Sequence, residues 1–121
     1  MPRPIHFEIP ADDPQRAIAF YARTFGWRAQ KFEGMEYWLV ATGEEGEPGI
    51  DGGIAPRRDP QETPVLVLGV DSVRDSVAEI ETAGGRVTVP RMAIPGVGWV
   101  AYAVDTEGNP LGVFRPDPGA A

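Results

Sequence analysis

His6 is the single histidine in a chain of 121 residues that contains no cysteine. Imidazole is the one side chain whose ordinary pKa lies near neutrality, so acid–base or ligating chemistry at a ring nitrogen starts at this position. Glu8 follows two residues later. Successive side chains of an extended strand point to opposite faces, which sends Ile5, Phe7 and Ile9 one way and His6 and Glu8 the other. One face is apolar and the other ionisable. Two readings of the pair stand side by side. In the first, His6 is a base or polar anchor for a ligand, and Glu8 orients it or serves as a carboxylate base. In the second, His6 is a strand residue satisfied by a neighbouring hydroxyl or backbone group, and Glu8 is a solvated carboxylate.

Aromatic side chains are the second group with a bearing on chemistry. Trp38 and Trp99 lie on strand-like stretches in the two halves of the chain, with Tyr37 and Tyr102 near them. Flat rings lining a concave pocket favour an apolar or aromatic ligand, and an indole N–H can orient it. Trp38 and Trp99 are therefore candidate ligand contacts, with core packing as the rival role for each. Alternation admits only one of Tyr37 and Trp38 to the ligand face. Arg115, just after Phe114, is a candidate partner for an anionic ligand at the rim.

These residues are positioned by a pattern that occurs twice. His6 to Pro14 lies over Val65 to Val73 at an offset of 59 residues, and Gly26 lies over Gly85 at the same offset. A half of about 60 residues is too small to bury a good core alone, so the halves should pack together with the site in a shared cleft. Asp13 caps a helix that opens on Pro14, and Gly26 ends it. Ser72 caps the second helix, with Asp75 three residues on, and Gly84-Gly85 end it. Strand signals follow each helix: Arg28 to Phe32, Tyr37 to Ala41 and Gly52 to Ala55, then Arg86 to Pro90, Trp99 to Val104 and Leu111 to Arg115. The order is βαβββ, twice, an α+β fold. Module one spans 3–55, a charged and proline-rich linker 56–64, module two 65–115 and a frayed tail 116–121. Phe7, Ile18, Tyr21, Phe25, Leu66, Leu68, Val77 and Ile80 are the expected core.

Composition removes several classes of function. A formal charge of −7 argues against a nucleic-acid partner, which would need a basic face that Arg57-Arg58 does not supply. No apolar run approaches the roughly 20 residues that span a bilayer, and Met1-Pro2-Arg3-Pro4 opens no signal peptide, so a soluble cytoplasmic protein is expected. Without cysteine there is neither a disulfide framework nor a thiolate nucleophile.

His6 on the first strand, Asp13-Pro14 to Phe25-Gly26-Trp27, Gly84-Gly85, Pro95-Gly96-Val97-Gly98-Trp99 and Asp105 to Pro110, in this order, resemble the vicinal oxygen chelate superfamily. That group includes glyoxalase I, bleomycin-resistance proteins and extradiol dioxygenases. The resemblance covers essentially the whole chain and implies mixed sheets curled around a shared cleft, helices outside, and commonly a homodimer. In metal-dependent members it also implies a divalent ion held by the first and last strands of each module. His6 matches the usual first ligand, but Val65 stands where a second histidine is expected, Gly112 where a glutamate is expected, and module one ends in Gly52-Gly53. A catalytic ion needs about three protein ligands and an open position, which His6 with Glu8 does not provide. Gly52 and Gly112 instead leave room for a bulkier ligand, or permit a bend. The leading expectation is a small organic ligand in an aromatic-lined cleft without a cofactor. The alternatives are a lyase, epimerase or dioxygenase with an unusual metal set built on His6 and Glu8, and a dimerising scaffold without a ligand.

Overall fold

The computed structural model describes residues 2–121. They form ten elements in the order β1 (Arg3–Ala11), α1 (Pro14–Phe25), β2 (Arg28–Lys31), β3 (Trp38–Ala41), β4 (Asp51–Pro56), β5 (Val65–Gly69), α2 (Val73–Thr82), β6 (Arg86–Ile94), β7 (Gly98–Val104) and β8 (Pro110–Pro116). This is βαβββ repeated, and Pro14 and Val73, which begin the helices, stand 59 residues apart. The chain divides into two compact units, residues 6–64 and residues 65–121 with 2–5.

In the first unit the strands lie in the order β2-β3-β4-β1, with β1 parallel to β4 and the other neighbours antiparallel. The Asp13 carboxylate accepts from the Arg16 N–H to cap α1, and Gly26 takes the left-handed conformation (φ 75°) that closes it. Helix α1 packs on β4 and β2. Ala11, Val40 and Ile54 are buried beneath it, with Ile9, Ala17, Ile18, Tyr21 and Trp27 against them. Phe25, expected in this core, is 61% exposed. It is the last residue of the helix, and its ring lies tilted against Tyr21 and Trp27, which stack on each other 4.6 Å apart and take the inner positions.

The second unit runs β5-β8-β7-β6, with β5 parallel to β8. Ser72 caps α2 by accepting from the Asp75 N–H. Val70, Val73, Ala101 and Val113 form its core, joined by Leu68, Val77, Ile80, Trp99 and Leu111. Leu66, also expected inside, is 53% exposed, whereas Leu68 on the same face packs against the α2 core. Past the C-cap at Ala83, a side chain on Gly85 would press on Ile80 and the Val104 carbonyl, so the glycine permits the helix to return close to β7. Strand β6 continues through Pro90 to Ile94; it is an edge strand with register shifts, where a missing N–H is tolerated.

The stretch 116–121, expected to fray, is docked. The Asp117 N–H donates to the Val97 carbonyl at 2.9 Å, the Gly96 N–H donates to the Ala120 carbonyl at 3.0 Å, and Ala120 is buried. The stretch 56–64 is held by Arg57, whose guanidinium reaches the Asp12 carboxylate at 3.0 Å and the carbonyls of Glu62 and Pro10, while its N–H donates to the Ala11 carbonyl. Replacing this fork removes several bonds at once. Arg57→Ala is expected to lower the unfolding free energy by about 1–2 kcal/mol, and Asp12→Asn by less, because an exposed ion pair contributes at most about 1 kcal/mol. Urea unfolding of the two variants checks the order.

Candidate functional site

The register of the first unit decides what its two faces carry. Phe7 lies opposite Gly52, Glu8 opposite Gly53 and Ile9 opposite Ile54, while Trp38 is opposite Ile54 and Val40 opposite Gly52. Directly paired residues share a face, so Phe7, Ile9, Gly52, Ile54, Val40 and Trp38 belong to the face that α1 covers. His6, Glu8, Asp51, Gly53 and Leu39 belong to the open face. The expected alternation between Tyr37 and Trp38 is therefore resolved in favour of Tyr37.

Tyr37 organises this face. Its hydroxyl lies 2.7 Å from His6 Nε2 and donates to Glu8 Oε2 at 3.0 Å, with its ring stacked near parallel to the imidazole. A side chain on Gly53 would run into the Tyr37 hydroxyl and ring. The missing side chain thus makes room for a phenol that bridges the histidine and the carboxylate. His6 is half-buried, and that burial pushes its pKa below the ordinary 6.5, partly opposed by the negative charges of Glu8 and Asp51. The neutral ring is the favoured form.

Several sequence candidates sit elsewhere. Gly52 faces α1, where a side chain would collide with the Phe7 ring, so the glycine of the open face is Gly53. Gly112 does lie on the face opposite α2, but an added Cβ would already be 3.1 Å from the Tyr102 ring and 3.3 Å from Val67. Gly53 and Gly112, equivalent positions of the repeat, both make room for a tyrosine. Trp99 and Arg115 are paired on the helix-covered face of the second unit, offset by one from Gly112 and Phe114. Trp99 packs on the α2 core, donates its indole N–H to Asp117 at 2.9 Å, and carries the Arg91 guanidinium 3.9 Å from its ring centre. That indole N–H, with the Gly119 N–H, holds the Asp117 carboxyl below its usual range. Exposed Arg115 joins Trp99, Arg91, Arg74, Asp71 and Ser72 around a shallow depression at the start of α2. Trp38 and Trp99 thus both lie on helix-covered faces. Tyr37 was legible as one of two options, and its partnership with Gly53 could have been read only from a glycine opposite an ionisable strand position.

The fold and these faces can be set beside known proteins. The family model of the Glyoxalase/Bleomycin resistance protein/Dioxygenase superfamily matches residues 3–113. The chain belongs to this superfamily. Among solved structures, a Streptomyces coelicolor methylmalonyl-CoA epimerase variant in complex with 2-nitronate-propionyl-CoA superposes with a TM-score of 0.69 at 15% identity, covering 100% of this chain and 99% of that one. The methylmalonyl-CoA epimerase of Mycobacterium tuberculosis gives 0.66 at 17% identity over 95% and 88% of the two chains. A hypothetical protein from Bacillus halodurans C-125 gives 0.66 at 12% identity over 98% and 97%. Such distant likeness establishes the fold alone. No curated protein matches the chain in sequence.

Superfamily membership implies, for its metal-dependent branches, a divalent ion on the first and last strands of each module. The residues present in the first unit do not fit that group. The space a Gly53 side chain would enter is filled by the Tyr37 hydroxyl, which also engages His6 Nε2.

Two outcomes follow. Gly53→Ala is expected to destabilise the protein by about 1–3 kcal/mol, the usual cost of overpacking. In the double variant with Tyr37→Ala the cost should fall well short of the sum, because the clash then has no partner; a thermodynamic cycle from urea unfolding measures this. Because the folded-state pKa of His6 lies below its unfolded value, the folded protein binds fewer protons between the two values. The His6 contribution is therefore fully present above about 6.5 and is lost as pH falls through the folded-state pKa. Unfolding free energies measured on either side of that range should fall toward acid more steeply for the wild type than for His6→Gln.

Proposed function

We propose that this protein binds a small organic molecule at the open face of its first unit, around His6, and does so without a catalytic metal. The observation that carries this reading is the Tyr37 hydroxyl, which stands in the Gly53 gap and joins His6 to Glu8. A hydrogen-bonded imidazole–phenol–carboxylate row offers directional polar contacts to a ligand, and the exposed Leu39 on the same face adds apolar surface. Support for a small organic ligand also comes from the Streptomyces coelicolor neighbour, which is in complex with 2-nitronate-propionyl-CoA. The proposal borrows the class of ligand and leaves that protein's reaction aside.

The test is the elemental metal content of tag-free protein after incubation with nickel, zinc, manganese and ferrous iron and removal of loosely held ions. Far less than one ion per chain is expected. One tightly held ion per chain, lost in His6→Ala, would overturn the metal-free reading and favour a metal-dependent lyase, epimerase or dioxygenase.

A further inference from the structure

We propose that Tyr37 and Glu8 hold His6 as its Nε2–H tautomer, leaving Nδ1 as the reactive atom of the open face, which accepts the proton of a weakly acidic ligand such as a phenol, an enol or an imide. The inference rests on the reading of this face as a metal-free ligand site. It begins from proton counting along the row. A carboxylate has only acceptors, and a phenol has a single proton to give. Tyr37 gives it to Glu8 Oε2 at 3.0 Å, so its oxygen can only accept at the 2.7 Å contact with His6 Nε2. The imidazole proton therefore lies on Nε2. A neutral imidazole carries one N–H, and Nδ1 is left with its lone pair.

Nδ1 is also reachable. His6 makes its one hydrogen bond through Nε2, and among the described residues no buried side-chain nitrogen or oxygen lacks a partner. An unpartnered Nδ1 must accordingly reach solvent. The step at this atom is balanced in itself. The ligand X–H bond breaks, an Nδ1–H bond forms, the electron pair stays on X, and an imidazolium faces the ligand anion until the proton returns. No oxidant, reductant or co-reactant is consumed. The cation so formed is tied through Tyr37 to Glu8 and lies on the face of Asp51, the register partner of His6, so two carboxylates oppose its desolvation cost.

The same surroundings select the ligand. A strong acid arrives already ionised, has no proton to give, and meets a lone pair, two carboxylates and a chain of net charge −7. An aliphatic alcohol holds its proton too firmly for an imidazole to take. The matched partner is an acid whose pKa lies near that of the imidazole. Tyr37 and Glu8 are positioning residues in this scheme, since they act through His6.

A single histidine makes the test direct, because the tag-free protein shows one pair of imidazole nitrogen resonances. In free wild-type protein these are expected to report the Nε2–H tautomer. With 4-nitrophenol as the probe, at a pH below the probe's own pKa, bound dye should absorb as the phenolate while His6 becomes doubly protonated. His6→Gln should lose the phenolate band. Tyr37→Phe should cut the phenolate formed by about tenfold, the equivalent of one charge-assisted hydrogen bond, a larger loss than it causes in the affinity for 4-nitroanisole, which has no proton to give. An Nδ1–H tautomer in the free protein, or dye bound as the neutral phenol, overturns the proposal and leaves ligand binding standing. Failure of both probes to bind overturns the ligand site itself.

Discussion

The parallel pairing of β1 with β4 sets Glu8 against Gly53 and His6 against Asp51, and the chemistry of the open face depends on that register. A slip of one residue would reverse every side chain, burying the imidazole and the carboxylate under α1 and turning Phe7 and Ile9 to solvent. The register is well specified because the other face is committed: Ile9, Val40 and Ile54 are packed with Ile18, Tyr21 and Trp27, and that burial disappears if the strand shifts. The polar row is thus held in place by the packing of the apolar layer on the opposite face.

Within that frame a glycine and a tyrosine act as one unit. Gly53 has no side chain, and the Tyr37 hydroxyl uses the space to reach both His6 and Glu8. The repeat sets a second glycine, Gly112, at the equivalent position, again close under a tyrosine ring. Where metal-dependent relatives in the superfamily carry ligating side chains at the ends of these strands, this chain carries glycines overlaid by phenols. On the open face of the first unit the outcome is a row of directional hydrogen-bonding groups, His6, Tyr37 and Glu8.

The helix-covered faces carry both of the tryptophans that aromatic content singles out. Trp38 and Trp99 both have the size and the indole donor that ligand sites favour, yet the pleat sends both toward the helices. Trp99 has its donor committed to Asp117 and its ring to the α2 core and Arg91. That same bond, with the backbone bonds of Asp117 and Ala120, converts the last residues from a loose end into a docked segment. Local composition, rich in proline and glycine, carried no sign of these partners because they lie some 20 residues away in sequence.

From the sequence alone came the repeat, the βαβββ order, both N-caps, the Gly26 stop, the superfamily and the shared face of His6 and Glu8. These rest on signals read along the chain itself: periodicity of two or 3.6 residues, capping residues within one turn, the order of motifs, and an internal offset of 59. Which aromatic met the imidazole, which of two adjacent glycines lay beneath it, and where Phe25, Leu66 and the final residues packed were decided only by tertiary structure. Each depends on which residue of a distant strand stands opposite, a quantity set by the summed packing of whole faces. No local pattern around Tyr37 encodes that it will meet His6, 31 residues earlier in the chain.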